Sequence, residues 1–76
     1  MKELVEFLAR KLVDQPDDVL VEEEDGGDRV IYHLYVADDD MGKVIGKQGR
    51  IANAMRDVLK VAAVRNNTRA SLEIGD

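Results

Sequence analysis

Seventy-six residues, 45% of them hydrophobic and 36% charged, suffice for one compact core and rule out an intrinsically disordered chain. The absence of cysteine excludes a disulfide scaffold, a thiolate metal site and a cysteine nucleophile, and no apolar run approaches a membrane span. A net charge of −5 excludes a uniformly basic surface, yet the charge is unevenly spread: residues 1–40 carry four Lys or Arg against thirteen Asp or Glu, residues 41–76 seven against three.

The first segment predicts a helix. Leu4, Val5, Leu8 and Leu12 recur at helical spacing with Phe7 beside them, while Glu3, Glu6, Arg10 and Lys11 take the wet side. The run opens on Met1-Lys2-Glu3 without the apolar stretch of a signal peptide, so the expected location is the cytosol. Asp14-Gln15-Pro16-Asp17 ends the helix, since the residue before proline is pushed out of helical geometry. Asp18 to Glu24 holds Val19-Leu20-Val21 and predicts a strand, and Asp25-Gly26-Gly27-Asp28 a tight turn. Arg29 to Ala37 is the clearest strand, with Val30, Tyr32, Leu34 and Val36 on one face and Ile31, His33 and Tyr35 on the other.

Asp38-Asp39-Asp40 breaks that strand and offers carboxylates to cap a helix start. A short helix over about Met41 to Ile45 precedes the loop Gly46–Gly49. A longer one follows from Arg50, with Ile51, Met55, Val58, Leu59 and Ala62 as its apolar stripe, and Asn66-Asn67 closes it. A last strand runs from about Arg69 to Ile74, with Ala70, Leu72 and Ile74 alternating. The two strands joined by the tight turn should pair antiparallel, and the third, after a two-helix crossover, can lie parallel to the second. The expectation is one domain over residues 1–76 of α+β class, order αββααβ, with a three-stranded mixed sheet carrying three helices on one face.

The chemistry concentrates in Gly42-Lys43-Val44-Ile45-Gly46-Lys47-Gln48-Gly49-Arg50-Ile51. Glycines at both ends of a short loop let the backbone turn sharply and approach a ligand, and the free N–H groups at the next helix start favour phosphate. Lys43, Lys47 and Arg50 add positive charge at the same point, and Val44 and Ile45 could floor a groove for bases. A local basic patch of this kind works beside an acidic remainder, because screening confines each charge to roughly 8–10 Å.

Here the sequence resembles the KH family, whose G-x-x-G loop clamps the backbone of single-stranded nucleic acid, and the element order resembles its type II variant in small single-domain bacterial members. The resemblance implies binding of single-stranded RNA by Lys43, Val44, Ile45, Gly46, Lys47, Gln48, Gly49, Arg50 and Ile51. Gly46–Gly49 and Lys47 would hold phosphates, and Ile45, Ile51 and the last strand would line the base groove. It further implies a homodimer, or a heteromer with a larger KH-containing protein of the KhpB/Jag/EloR type. The role it implies is post-transcriptional regulation or RNA chaperoning in cell elongation and division, with no membrane association and no enzymatic activity, cofactor or metal. The alternative is a protein–protein interaction module, a dimerisation unit with little RNA binding of its own. The composition supports a KH reading over other RNA modules, since Phe7, Tyr32 and Tyr35 are the only aromatics and none lies in the motif.

Competing motifs fail on spacing. A Walker loop needs four residues between its first glycine and Gly-Lys, and Gly42 to Gly46-Lys47 has three, with Gln48 where Ser or Thr belongs. Gly42, Gly46 and Gly49 also miss the dinucleotide fingerprint. Ser71 and Thr68 have no neighbouring histidine to activate them, His33 reads as a surface or edge residue, and Glu22 to Asp25 reads as a solvated strand end.

Overall fold

A computed structural model describes residues 1–75. Helix α1 (Lys2–Leu12) turns Val5 and Ala9 into the core and leaves Leu4, Leu8 and Leu12 half-buried at its borders. Glu3 in its first turn and Arg10 and Lys11 in its last oppose the helix dipole at both ends. Phe7 points outward, with the Lys11 ammonium 5.4 Å from its ring centre. After a 3-10 turn at Pro16–Asp18, strands β1 (Leu20–Asp25) and β2 (Val30–Tyr35) form an antiparallel hairpin that sets Val21 opposite Leu34. The turn between them is closed by Gly26 N–H donating to Arg29 O at 2.8 Å and by the Asp25 carboxylate accepting Gly27 N–H at 2.9 Å.

Helices α2 (Met41–Ile45) and α3 (Arg50–Arg65) then cross over to β3 (Ala70–Gly75), which lies parallel to β2 with Leu72 opposite Tyr32. The sheet order is β1-β2-β3, so both β1 and β3 are edges and β2 is central. Helix, strand, strand, helix, helix, strand with three helices on one sheet face is the arrangement expected of a type II KH fold.

Strand alternation decides which side chains meet the helices. Val21, Tyr32, Leu34 and Leu72 face inward onto Val5, Ala9, Val44, Met55 and Leu59, all buried in one cluster. The opposite face, with Ile31, His33 and Tyr35, carries no helix. His33 is therefore mid-sheet, not at an edge, and its Nε2 lies 2.7 Å from Glu24 Oε1.

The expected stripe on α3 requires correction. Its buried residues are Ala52, Met55, Leu59 and Ala63, whereas Val58 is 45% exposed and Ile51 and Ala62 are half-buried. Alanine takes buried positions on α3 while the larger Val58 stays half out in solvent, so side-chain size misassigns the stripe. Leu59→Ala is expected to destabilise the protein by about 2–5 kcal/mol through a core cavity. Val58→Ala, one residue away, should fall within about 0.5 kcal/mol of wild type. Denaturant midpoints of the two variants check the assignment.

Candidate nucleic-acid interface

The segment entering α2 is fixed by a buried carboxylate. Asp40, 1% exposed, accepts the backbone N–H groups of Asp14 at 3.2 Å and Gln15 at 3.0 Å, from the turn that follows α1. Lys43 Nζ sits 3.5 Å from Asp40 Oδ1 and 3.0 Å from Asp14 Oδ2. Burial by itself would raise the Asp40 pKa, but the two N–H donors and the Lys43 ammonium outweigh it and hold the carboxyl below its ordinary value. The hydrogen bond and charge of Asp14, then of Asp40, hold the Lys43 ammonium above its own. The sequence expectation of a capping role is corrected here, for no side chain of the Asp38–Asp40 run caps α2.

From that anchor, Val44 is driven fully into the core and cannot offer surface to a ligand, contrary to its expected place on a groove floor. The five residues of α2 make little more than one turn, so one of its aliphatic neighbours must face inward; Ile45, at 38% exposure, faces out. Gly46 then reverses the chain. Its φ of 75° and ψ of 175° lie where residues with a Cβ are rarely found, and a Cβ there would stand 2.6 Å from Ile51 Cγ1. Gln48 (φ 58°) and Gly49 (φ 75°) are both left-handed, which costs Gln48 about 1–2 kcal/mol as a residue with a side chain. The result is a tight loop that presents Lys47 and Gln48 to solvent at the start of α3, closed on itself by Gly49 N–H donating to Gly46 O and Arg50 N–H donating to Lys47 O.

Beyond the loop, a polar row at positions 53, 56 and 60 of α3 runs along the outer edge of β3. Val30 N–H donates to Arg69 O at 2.9 Å, so Arg69, Ser71 and Glu73 direct their backbone groups to β2. By alternation Ala70, Leu72 and Ile74 direct theirs outward. A cleft of about 270 Å³ lies there, with Arg56, Asp57, Lys60, Ser71 and Leu72 among its lining residues. It is followed by one of about 290 Å³ with Arg29, Lys60, Thr68 and Arg69 on its walls. Asn53, Arg56, Lys60 and Arg69 were not singled out from sequence, although the i, i+3, i+7 recurrence of polar residues on α3 was available as a signal.

Two further sequence candidates have other partners than expected. Ile51 presses on Gly46 and, with Arg50, lines a separate apolar cleft of about 330 Å³ between α1 and α3. Ile51 thus faces Leu8, Leu12 and Met55, not the β3 edge. Lys43 is bound up with Asp14 and Asp40 and acts first as a clamp on the loop's support.

The αββααβ order with a mixed three-stranded sheet, and a glycine-bracketed loop between α2 and α3, is the arrangement of a type II KH module. The KhpA/KhpB KH-domain family matches residues 2–74, and the chain belongs to that family. It is 55% identical over 74 residues to an RNA-binding protein KhpA from Clostridium perfringens, covering 97% of this chain and 99% of the relative. It is 54% identical over 76 residues to one from Halalkalibacterium halodurans, covering 100% of both. It is 47% identical over 74 residues to one from Chlamydia pneumoniae, covering 97% of this chain and 95% of the relative. Among solved structures, a variant of Aquifex aeolicus Era bound to GDP·AlF4− matches with TM-score 0.64 and 18% identity, over 96% of this chain and 28% of that one, a likeness of fold alone.

Two predictions follow from this geometry. A depressed carboxyl pKa contributes stability that is present above the ordinary value of 3.8 and lost as pH falls through the folded value. Urea midpoints of wild type should therefore drop steeply in acid, and Asp40→Asn should be less stable at neutral pH with a flatter acid limb. Gly46→Ala is expected to cost about 3 kcal/mol through its backbone and the contact with Ile51. Gly49→Ala, whose Cβ would find Asn53 Nδ2 no nearer than 3.8 Å, should cost about 1–2 kcal/mol. Thermal unfolding of both variants measures the contrast.

Proposed function

We propose that residues 1–76 form one KH module that binds single-stranded RNA, and that the chain is a binding protein with no catalytic role. Phosphates would lie on the Gly46–Gly49 backbone and the Lys47 ammonium, with Lys43, Gln48 and Arg50 around them and Ile45 beside the loop. Val44 and Ile51 would support this loop from within. Successive bases would then enter the cleft between α3 and β3. The observation that carries this reading is the exposed, left-handed loop at the start of α3, with Arg56 and Lys60 of the same helix on the wall of a cleft beside the outward backbone groups of β3. Membership of a family whose relatives carry the name RNA-binding protein KhpA supports it.

The cellular role we propose is post-transcriptional control or RNA chaperoning in the cytoplasm, linked to elongation and division. The partner would be a second copy or a larger KH protein of the KhpB/Jag/EloR type. No helix among the described residues is long and apolar enough to cross a membrane.

A second reading, a dimerisation module, draws support from Val58, Val61 and Val64 on α3, at 45%, 56% and 66% exposure. Fluorescence anisotropy with short labelled single-stranded RNAs, run beside light scattering, separates the two. Wild type should bind with an affinity that falls with salt, at a slope of about −0.7 for each phosphate contacted. Lys47→Asp/Gln48→Asp should weaken binding at least about tenfold with circular dichroism unchanged. A dimer that binds no RNA at low salt would establish the second reading instead.

A further inference from the structure

Arg56 occupies a position that the loop motif does not account for. Its Nε donates to the outward carbonyl of Leu72 at 3.3 Å, and its Nη1 donates to Asn53 Oδ1 at 3.3 Å. The guanidinium thus lies across the cleft from α3 to the edge of β3, held at both ends. An edge residue with both backbone groups free offers one donor and one acceptor side by side, the complement of adenine's N1 acceptor and N6 donor. Here the acceptor is taken. What remains toward a base at the β3 edge is the Leu72 N–H together with the guanidinium's other N–H groups, since arginine has five donors and no acceptor. The acceptor left in the cleft is the Asp57 carboxylate on the α3 wall.

We propose that Arg56 is a specificity-determining residue. By closing the Leu72 carbonyl and substituting donors for it, Arg56 makes the cleft select a base with two adjacent acceptors, cytosine through N3 and O2 or guanine through O6 and N7, and disfavour adenine. This rests on the single-stranded RNA reading above and deepens it. Arg56 is exposed on a helix, so its replacement leaves the core of Met55 and Leu59 untouched. Asn53 matters as the second holder, since a guanidinium tethered at one end alone would leave the Leu72 carbonyl intermittently free.

The test titrates full-length protein with labelled uridine oligomers that carry one central C, G or A. Wild type is expected to bind the C and G oligomers about tenfold tighter than the A oligomer. Arg56→Lys keeps the charge but loses the planar fork, so the preference should shrink to within about twofold while the salt slope stays at the wild-type value. Arg56→Met should lose the preference, while the slope, which counts phosphate contacts, stays near the wild-type value. Retention of the preference in Arg56→Lys, equal weakening of all three oligomers in Arg56→Met with their ratio kept, or wild-type binding of the A oligomer as tight as the others would each overturn the proposal. Lys47→Asp/Gln48→Asp, titrated in parallel, tests the underlying reading independently. Wild-type binding that this variant lowers for all three oligomers alike, without the expected preference, would overturn the role of Arg56 alone. No wild-type binding to any oligomer would overturn both.

Discussion

The Asp40 carboxylate is the interaction on which the placement of the loop depends. An ion taken out of water incurs a cost of several kcal/mol unless its lone pairs are met, and here two backbone N–H groups and an ammonium meet them. Those donors come from the turn after α1, some 25 residues back, and from the first turn of α2. One side chain therefore fastens the N-terminal helix to the crossover that carries the Gly46–Gly49 loop. With the start of α2 fixed, Val44 locks into the core, and Gly46 can turn only as the contact with Ile51 allows. The loop's shape is thus imposed from both sides, by a charge before it and an aliphatic contact after it. That is how a residue such as Gln48 is held left-handed.

Much of this fold was legible in the sequence because the signals are local. The Asp25–Asp28 turn, the alternation from Val30 to Val36 and the glycine-bracketed loop each depend on residues close in the chain. What was not legible depends on distant partners. Nothing in Asp38-Asp39-Asp40 says that the third carboxylate is buried on amides of residues 14 and 15; a cap is the local reading, and tertiary structure overrides it. Lys43 looked free for phosphate because Asp14 lies 29 positions away in the sequence. The α3 stripe went astray for a different reason. Ala52 and Ala63 are buried on the same side of α3 as Met55 and Leu59, and the apolar character of alanine is too weak to announce it.

The same distinction governs the site. The loop residues could be read from spacing, but the cleft beside them could not, because it exists only where β3 lies parallel to β2 as the free edge of the sheet. Asn53, Arg56 and Lys60 are ordinary solvated residues of an amphipathic helix until that edge is set beside them. Their register along α3, three and then four residues apart, keeps them on one side of the helix, with Arg56 and Lys60 on the cleft wall and Lys60 also facing Arg69.

The distribution of charge over the sheet completes the logic. Both edges of a three-stranded sheet expose backbone groups, and an unprotected edge invites pairing with any other strand. Edge β1 carries Glu22, Glu23, Glu24 and Asp25 in succession, so a nucleic-acid backbone is repelled from it and a second strand meets four like charges. Edge β3 has one acid, Glu73, and instead has Arg56 laid over the Leu72 carbonyl. The acidic half of the chain therefore does not oppose the basic half. It closes one edge and leaves the other with Arg56 and Lys60, beside a single carboxylate of Asp57, as the edge on which the proposed site would lie. Those cations are few, so on the reading proposed above a single module would neutralise few phosphates, and a second module nearby would raise the effective concentration of the first.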